Sequence, residues 1–339
     1  MMRCFDVCNG DADGLCAVLQ WRLERPAPAT LVTGLKRDIA LLERVPAGPG
    51  DEVLVCDLSM QRNRAALTRL LAAGARVRYF DHHAAGEIPQ HPGLEVHLDA
   101  GSGVCTCVLM DRHLQGRRRA WAAVGAFGDN LQEVGHRLAV EAGLSDAQCE
   151  QLQELGRSIN YNAYGESESD VHVAPAVLYG ILSRHENPLE AVRSEPVLRE
   201  LRELRAADLN RARASSPLLE GDRASVHLLP DAAWSRRVVG TFANDLATAY
   251  PDRAHAVLVE TASGGGWRVS VRAPLSSPSG ADELCRRFGG SGRTGAAGID
   301  LLPRSRLADF LDAFLSQRWG QHHPGFDISH ACGGGAGPS

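Results

Sequence analysis

Two histidines and an aspartate follow an apolar segment of the chain. Residues 77–80 are largely apolar or aromatic, and Asp81, His82 and His83 come directly after them. A strand that turns polar at its carboxyl end is a common construction of α/β active sites, because the sheet holds those side chains rigidly. Two imidazoles beside a carboxylate suit a divalent metal ion with a phosphate next to it. The same triplet could also be a turn facing water, so it needs support from the rest of the sequence.

Further aspartates stand at comparable places along the chain. Asp11 and Asp13 lie in a glycine-flanked loop after an apolar segment, Asp57 ends another such segment, and Asp129 follows a helical one. Each of them alone could be a helix cap or a turn residue. Together they could hold two divalent ions about 3.5–4 Å apart, with Asp57 as the bridge and an acidified water as the nucleophile on phosphorus. Mn²⁺ suits this mixture of carboxylate and imidazole, and Mg²⁺ or Co²⁺ could substitute for it.

Strands and helices alternate at short spacing in the first part of the chain. Strands are predicted at 3–8, 30–35, 52–55 and 77–81, and helices at 15–23 and 64–73. This alternation indicates an α/β fold with a parallel sheet covered by helices. Because the carboxyl ends of parallel strands share one edge of the sheet, Asp11, Asp57 and Asp81 are expected to meet there.

The remainder of the chain predicts a helical middle and a smaller α+β unit. Residues 132–215 look mainly helical, and the leucine- and arginine-rich segment 198–214 is interpreted as an exposed, solvated linker helix. After Pro217, strands are predicted at 224–229, 254–260 and 267–272, with a helix at 237–250. We therefore predict domains at 1–190 and 218–320, a helical linker at 191–217 and a disordered tail at 321–339.

Composition narrows the class of protein. The chain has 339 residues, 44% of them hydrophobic and 23% charged, which favours a globular protein of two domains. The formal net charge of −5 argues against a protein coated in basic charge for gripping long duplex DNA. No apolar run has the length of a membrane span, and the N-terminus does not resemble a signal peptide, so we expect a cytoplasmic protein without a membrane partner. The nine cysteines fit reduced, buried thiols, and Cys105-x-Cys107 is weak evidence for zinc.

Taken together, these motifs resemble those of the DHH phosphoesterase family in its two-domain form with a DHH-associated C-terminal domain. The matching segments are 9–14, 53–57, 80–83, 128–130 and 289–298. They span most of the chain in the family's order, and we place the chain nearest the nanoRNase branch. The family also includes hydrolases of 3′-phosphoadenosine 5′-phosphate, cyclic-dinucleotide phosphodiesterases, RecJ-type exonucleases and pyrophosphatases with a different C-terminal domain.

The resemblance implies a role for each motif residue. Asp11 would hold a first metal ion, Asp57 would bridge both ions, and Asp13, His82 and Asp129 would hold the second. Asp81 would orient its neighbours, and His83 would face the substrate phosphate, either binding it or assisting proton transfer. In the C-terminal domain, glycines would let the backbone approach a nucleotide. The loop residues implied in substrate binding are Gly290, Ser291, Gly292 and Thr294.

Two departures from the family pattern affect these expectations. Asn9 stands where the family often has a histidine or an extra aspartate, and it can offer the first metal ion only a carbonyl oxygen. The glycine loop contains Arg293 where the family usually has G-G-G-H. An arginine is permanently charged and forks onto a phosphate, so Arg293 is expected to hold a terminal phosphate, with Arg272 either assisting it or facing solvent at a strand end.

The leading functional prediction is a metal-dependent phosphodiesterase that hydrolyses short single-stranded oligonucleotides to 5′-mononucleotides. Only 5% of residues are aromatic, which disfavours a long stacking track for a processive exonuclease. Nucleoside 3′,5′-bisphosphates or cyclic dinucleotides remain alternative substrates. A protein of a different class, a non-catalytic nucleotide-binding module with an incomplete metal site, is the second alternative. The segment 198–214 permits a homodimer without requiring one.

Overall fold

The structure is a computed structural model that describes residues 2–262 and 264–319. Its chain divides into two compact units. The first comprises the residues up to Arg211 together with Ala232–Val238, and the second comprises Ala212–Asp231 and the residues from Val239 onward. The predicted tail at 321–339 lies outside the described residues.

The first unit is built on a five-stranded sheet. Its strands are β1 (Cys4–Cys8), β2 (Thr30–Val32), β3 (Glu52–Cys56), β4 (Arg76–Asp81) and β5 (Leu94–Leu98), in the order β2-β1-β3-β4-β5. All four neighbouring pairs are parallel, so the carboxyl ends of β1, β3 and β4 lie side by side at one edge. The predicted parallel α/β sheet is confirmed, and β5 adds an edge strand that the sequence analysis did not predict.

Helices of the first unit cover both faces of this sheet. They are α1 (Ala12–Glu24), α2 (Met60–Ala72), α3 (Thr106–His113), α4 (Arg119–Gly128), α5 (Gln132–Glu141), α6 (Asp146–Asn162), α7 (Pro175–Leu182), α8 (Pro188–Ser194) and α9 (Pro196–Arg213). Alternate strand residues serve opposite faces: Leu54 packs in the core with α1 and α4, whereas Val53 and Val55 pack in the core with α2. Strands buried on both faces explain the nearly continuous apolar segments of the sequence.

Helix α9 differs from the exposed linker helix that its charges predict. Leu198 and Leu201 are buried in the core beside α1 and α4. The charged residues of α9 therefore belong to its outer face only. A helix can be polar by composition and still bury one stripe of leucines.

The second unit has a six-stranded mixed sheet. Its strands are β6 (Leu219–Glu220), β7 (Ala224–Leu229), β8 (Ala254–Glu260), β9 (Gly266–Arg272), β10 (Ser291–Arg293) and β11 (Ala296–Pro303), in the order β10-β11-β9-β8-β7-β6. Only β7 and β8 are parallel, and the chain between them forms α10 (Ala233–Ala249). Helices α11 (Ala281–Arg287) and α12 (Leu307–Ser316) complete the unit. Within the described residues, no helix is both long and apolar enough for a membrane crossing.

Candidate metal centre

The loop after β1 places Asp11 at the start of α1. Asp11 is the N-cap residue, and its Oδ1 accepts a hydrogen bond from the Gly14 amide at 3.0 Å. The Asp11 amide in turn donates to Asn9 Oδ1 at 3.2 Å. A side chain at Gly14 would collide with the Asn9 carbonyl, so the tight loop requires glycine there. The loop thus holds a buried carboxylate at the sheet edge.

Lys36 forms an ion pair with Asp11, which the sequence analysis did not foresee. Its ammonium lies within hydrogen-bond distance of Asp11 Oδ2. Burial alone would raise the pKa of Asp11, but the Lys36 charge lowers it below its ordinary value. Burial would lower the pKa of Lys36, yet Asp11 and more distant acids raise it well above its ordinary value. Both partners are therefore charged at neutral pH.

Asp13 is held by the first turn of α3. Its Oδ2 accepts from the Thr106 amide and its Oδ1 from the Cys107 amide, each at 2.7 Å. The side chain is 1% exposed, so these two donors fix a carboxylate that water hardly reaches. Gly125 of α4 packs against Cys107. A side chain at Gly125 would collide with the Cys107 side chain and lie 3.4 Å from Asp13 Oδ1.

Asp57 follows β3 in an unusual backbone conformation. Its φ is +57°, in the left-handed region that residues other than glycine seldom adopt. Its amide donates to the Phe80 carbonyl at 3.0 Å, which fixes the loop against β4. Burial and the neighbouring charges of Asp11 and Asp13 raise the pKa of Asp57 well above its ordinary value. A strained, buried carboxylate of this kind is typical of functional sites.

His82 lies among three carboxylates. Its Nε2 is 3.4 Å from Asp57 Oδ1, 3.9 Å from Asp129 Oδ2 and 4.0 Å from Asp13 Oδ2. These separations exceed ordinary hydrogen bonds of about 2.7–3.2 Å. Although burial opposes it, the interaction with Asp57 and the charges of Asp13 and Asp129 raise the pKa of His82 to about 10. Burial raises the pKa of Asp129 to about 6, against the effect of Lys36. Three carboxylates thus surround one imidazole, an arrangement that a bound cation would stabilise.

His83 and Asp81 form a separate pair beside this group. His83 Nδ1 is 2.7 Å from Asp81 Oδ1 and 3.9 Å from Asp57 Oδ1. Asp81 is fully buried, whereas the His83 side chain is 48% exposed. The buried carboxylate therefore orients an imidazole whose other nitrogen is free to reach solvent or a ligand.

The donor set at His82 suits a divalent ion. Atoms that each lie about 2.1 Å from one ion, at angles of 90° or more, are about 3–4 Å apart, which matches the separations around His82 Nε2. Three carboxylates and one imidazole are ligands that Mn²⁺ and Mg²⁺ accept. Asp57, His82 and His83 also offer ligand atoms within 4.8 Å of one another. The structure thus brings Asp13, Asp57 and Asp129 within 4.0 Å of His82. The other two predicted metal residues lie together beside Lys36: Asp11 pairs with its ammonium, and the Asn9 amide oxygen accepts the Asp11 N–H.

The predicted substrate residues of the second unit lie on and beside a β-hairpin. Ser291 and Gly292 belong to β10, Thr294 lies in the turn, and Gly290 precedes the strand. A side chain at Gly290 would meet the Gly298 carbonyl, and one at Gly292 would meet Ala297. These glycines therefore allow the close pairing of β10 with β11. The need for glycine at these positions is explained by the fold and not by the approach of a nucleotide.

Two arginines of this unit are used differently. Arg293 is exposed at the end of β10, and no carboxylate of the described residues pairs with it. Arg272 at the end of β9 instead donates to Asn244 Oδ1 at 2.6 Å and Ser270 Oγ at 3.0 Å. It also donates to the Val271 carbonyl at 2.9 Å. The guanidinium of Arg272 is thus used in hydrogen bonds within the unit. That of Arg293 is available to bind a phosphate.

Lys36 and the amides of Thr106 and Cys107 are functional groups that the sequence motifs do not predict. One signal could have found Lys36, because residue 36 directly follows the strand predicted at 30–35, at the same sheet edge as the aspartates. The backbone amides carry no such signal, because any residue type can supply them.

Comparison with solved structures places this fold among known proteins. A DHH domain described as a member of the s1p family of ribosomal proteins is 15% identical with a TM-score of 0.63, over 93% of this chain and 86% of that one. RecJ of Thermus thermophilus in complex with Mn²⁺ is 20% identical with a TM-score of 0.60, over 91% and 51%. The pGpG-specific phosphodiesterase PggH of Vibrio cholerae is 14% identical with a TM-score of 0.51, over 92% and 97%.

These identities are low, and the likeness concerns the fold. No protein-family model matches the sequence, and a search of curated proteins gave no match. The structural likeness nevertheless shows that the chain has the fold of DHH-domain proteins. The resemblance seen in the sequence motifs is confirmed at that level.

Proposed function

We propose that this chain with a DHH-type fold is a divalent-metal-dependent phosphodiesterase that cleaves short oligonucleotides to 5′-mononucleotides. The observation that carries the proposal is His82 Nε2 at 3.4–4.0 Å from the carboxylates of Asp13, Asp57 and Asp129. These donors come from four separate places in the chain, and a bound divalent ion would relieve the mutual repulsion of the three carboxylates. The solved RecJ structure with Mn²⁺ and the pGpG phosphodiesterase share the fold and support this class of function.

The residues of the centre have different roles in the proposed hydrolysis. A bound divalent ion would polarise a phosphate oxygen and lower the pKa of an attacking water. The amides of Thr106 and Cys107 keep Asp13 in a fixed position, so the ligand set needs little reorganisation. The Asp81 carboxylate lies 2.7 Å from His83 Nδ1 and orients the imidazole, whose side chain is 48% exposed. His83 is therefore placed to bind the substrate phosphate or to transfer a proton.

A short substrate is favoured by charge and by one arginine. With a net charge of −5, the chain does not carry the overall basic charge that binds long nucleic acids tightly. Arg293 offers a guanidinium without a carboxylate partner among the described residues, which suits a terminal phosphate. The pGpG-specific enzyme, matched over 97% of its length, acts on a dinucleotide and supports the same size class. Nucleoside 3′,5′-bisphosphates and cyclic dinucleotides are the alternatives within this class.

A product-resolved assay with Mn²⁺ tests the proposal. Its substrates are a linear dinucleotide, a five-residue and a longer oligonucleotide, a cyclic dinucleotide, a nucleoside 3′,5′-bisphosphate and pyrophosphate. We expect hydrolysis of the two- and five-residue oligonucleotides to 5′-mononucleotides, and none with the Asp57→Ala or His82→Ala variants. Preference for the bisphosphate or the cyclic dinucleotide would support the proposed metal-dependent hydrolysis and contradict the proposed oligonucleotide substrate. No hydrolysis of any substrate with Mn²⁺ or Mg²⁺ would overturn the proposal.

The Lys36–Asp11 ion pair favours one alternative of a different class. A lysine at a metal position could mark a centre that binds nucleotides without hydrolysing them. Such a module would bind the dinucleotide in calorimetry but show no thermal stabilisation by Mn²⁺ and no product. Saturable stabilisation by Mn²⁺ that disappears in His82→Ala would argue against it.

Location and assembly remain proposals too. The eight cysteines of the described residues are free and buried, which is consistent with the reducing cytoplasm that we propose. The homodimer stays a prediction, and two of the leucines in the segment that prompted it, Leu198 and Leu201, are buried within the first unit. Sedimentation equilibrium of the full chain would measure the oligomeric state directly.

A further inference from the structure

Lys36 lies at the place where the motif resemblance puts the first of two metal ions. Both oxygens of Asp11 are used by groups of this chain, Oδ1 by the Gly14 amide and Oδ2 by the Lys36 ammonium. Asp11 is 1% exposed, so no water competes freely for these oxygens. A metal ion at Asp11 would have to displace the ammonium or lie directly beside it.

The backbone of Lys36 is fixed on both sides of its Cα. Its N–H donates to the Ala163 carbonyl at 3.0 Å, and its carbonyl accepts from Asn9 Nδ2 at 3.2 Å. The ammonium also lies 5.8 Å from the centre of the Tyr164 ring, a cation–π distance. The position of the charge is therefore determined by several contacts and not by the flexible side chain alone.

Asn9 connects the two residues of the ion pair. Its Oδ1 accepts the Asp11 amide and its Nδ2 donates to the Lys36 carbonyl. A histidine or an aspartate at this position could not reproduce both bonds, because an aspartate has no donor and an imidazole has a different shape. The residue that departs from the family pattern is thus the residue that aligns Lys36 with Asp11.

We infer that Lys36 replaces the first divalent ion, so that this centre binds one metal ion, at Asp13, Asp57, His82 and Asp129. The inference rests on the proposed function, because it concerns the same centre. The ammonium neutralises Asp11 without a second ion, and its charge repels any divalent ion placed next to Asp11. Asn9 is then a positioning residue rather than a metal ligand.

Metal counting on the full-length protein tests this inference. The protein is stripped of metal, titrated with Mn²⁺ in a calorimeter, and examined by electron paramagnetic resonance at each loading. The Asp57→Asn variant serves as the blank, because Mn²⁺ that it still binds belongs to other sites. His97→Gln is the matched control, since Glu95, His97 and His113 form another group that could hold an ion. We expect one Mn²⁺ per chain above the blank, unchanged in His97→Gln, with the six-line spectrum of an isolated ion.

Two variants test the role of Lys36 itself. Lys36→Met removes the charge at similar length, and we expect the single ion to bind at least tenfold more tightly because the repulsion is gone. In the double variant, Asn9→His supplies a metal ligand and Lys36→Met removes the ammonium from Asp11. We therefore expect two ions per chain and the broadened spectrum of a coupled pair. Circular dichroism establishes that each variant is folded, and Lys36→Gln replaces Lys36→Met if that variant does not fold.

The outcomes separate this inference from the proposed function. Two ions in the wild-type protein, with a coupled spectrum, would overturn the role of Lys36 and leave the phosphodiesterase proposal intact. No ion above the blank would overturn both. One ion in the wild type and still one in the double variant would show that Lys36 is not the reason for the missing ion.

Discussion

Asp57 is subject to three unfavourable conditions, one in its backbone and two at its side chain. It is buried, its φ is +57°, and the charges of Asp11 and Asp13 act with burial to raise its pKa. A left-handed conformation costs about 1–3 kcal/mol at a residue other than glycine, although aspartate and asparagine tolerate it best. A bound cation would relieve the repulsion from Asp11 and Asp13, which is the physical reason to regard Asp57 as the central ligand.

Replacing Asp57 by asparagine separates stability from metal binding. Asparagine keeps the shape and tolerates the backbone conformation, but it removes a charge that Asp11 and Asp13 repel. We expect Asp57→Asn to stabilise the metal-free protein by about 1–2 kcal/mol. With Mn²⁺ at 100 times its Kd the wild type gains about 2.7 kcal/mol and the variant gains nothing, so the order of stabilities reverses. Thermal unfolding with and without Mn²⁺ measures both effects.

Asp99→Asn is the control for this reversal. Asp99 follows β5 at the same sheet edge but is only partly buried and pairs with Arg112 at 3.1 Å. Its variant should show the wild-type response to Mn²⁺. An Asp57→Asn protein that is stabilised by Mn²⁺ as much as the wild type would remove Asp57 from the ligand set.

Arg293 is expected to act on substrate binding alone. Its guanidinium has no carboxylate partner within residues 2–262 and 264–319, so Arg293→Ala should leave stability within about 0.5 kcal/mol of the wild type. Loss of a charge-assisted phosphate contact should raise KM for a 5′-phosphorylated dinucleotide about tenfold or more, with kcat changed less. Steady-state kinetics on this dinucleotide and on its unphosphorylated form give the comparison.

Arg286→Ala provides the matched control for Arg293. Arg286 is an exposed arginine of α11 that pairs with Asp282 one helical turn away. Its loss should change neither KM nor kcat. An unchanged KM in Arg293→Ala would contradict the phosphate role of that residue.

At the scale of elements, the packing of α4 against α3 fixes Asp13. Gly125 of α4 leaves room for the Cys107 side chain, and Cys107 and Thr106 provide the amides that hold Asp13. Gly125→Ala should push α3 away and destabilise the protein by about 1–3 kcal/mol. The displaced amides should also weaken Mn²⁺ binding, which calorimetry measures beside the unfolding free energy.

Gly180→Ala tests whether this effect is specific to the contact. Gly180 lies in α7, and a methyl group there would meet no atom within 4 Å. Alanine should stabilise the helix by about 0.5–1 kcal/mol and leave Mn²⁺ binding unchanged. Equal effects of the two substitutions would show that α4 does not position Asp13.

The sequence predicted the elements that have strong local patterns. The strand that precedes Asp57 and the strand that ends at Asp81 are recognisable because residues buried on both faces give largely apolar segments. Strand β5 alternates apolar and polar residues over Leu94–Leu98 at the edge of the sheet. This alternation is a strand signal, but it is only five residues long and is not among the predicted strands. The contact of Lys36 with Asp11 spans 25 residues and that of Asp13 with Thr106 spans 93. The position of Lys36 directly after a predicted strand is a signal for the first contact, whereas no local pattern indicates the second.

At the scale of the whole molecule, acid should affect the second unit through His255. Burial lowers the pKa of His255 to about 4, and its Nδ1 lies 2.8 Å from Ser225 Oγ. The folded state therefore resists protonation between about pH 6.5 and 4, whereas the unfolded chain accepts the proton. The contribution of His255 to stability should be constant above pH 6.5 and fall by up to about 3 kcal/mol as the pH is lowered to 4.

Urea unfolding at pH 7, 5.5 and 4.5 measures this dependence. The His255→Gln variant should lose part of the pH slope, and His91→Gln, at an exposed position, should retain all of it. Circular dichroism follows the unfolding at each pH. A slope that is identical in wild type and His255→Gln would assign the acid sensitivity to other groups.

Lys36 is attached to the chain by covalent bonds, and no chelator can extract it. If it supplies the first positive charge at Asp11, the rate at low free Mn²⁺ should be first order in the metal, because only one ion has to be captured. A centre assembled from two exchangeable ions approaches second order and loses its activity more steeply as metal becomes scarce. The ion pair described at the end of β1 would thereby let the protein work in metal-poor conditions.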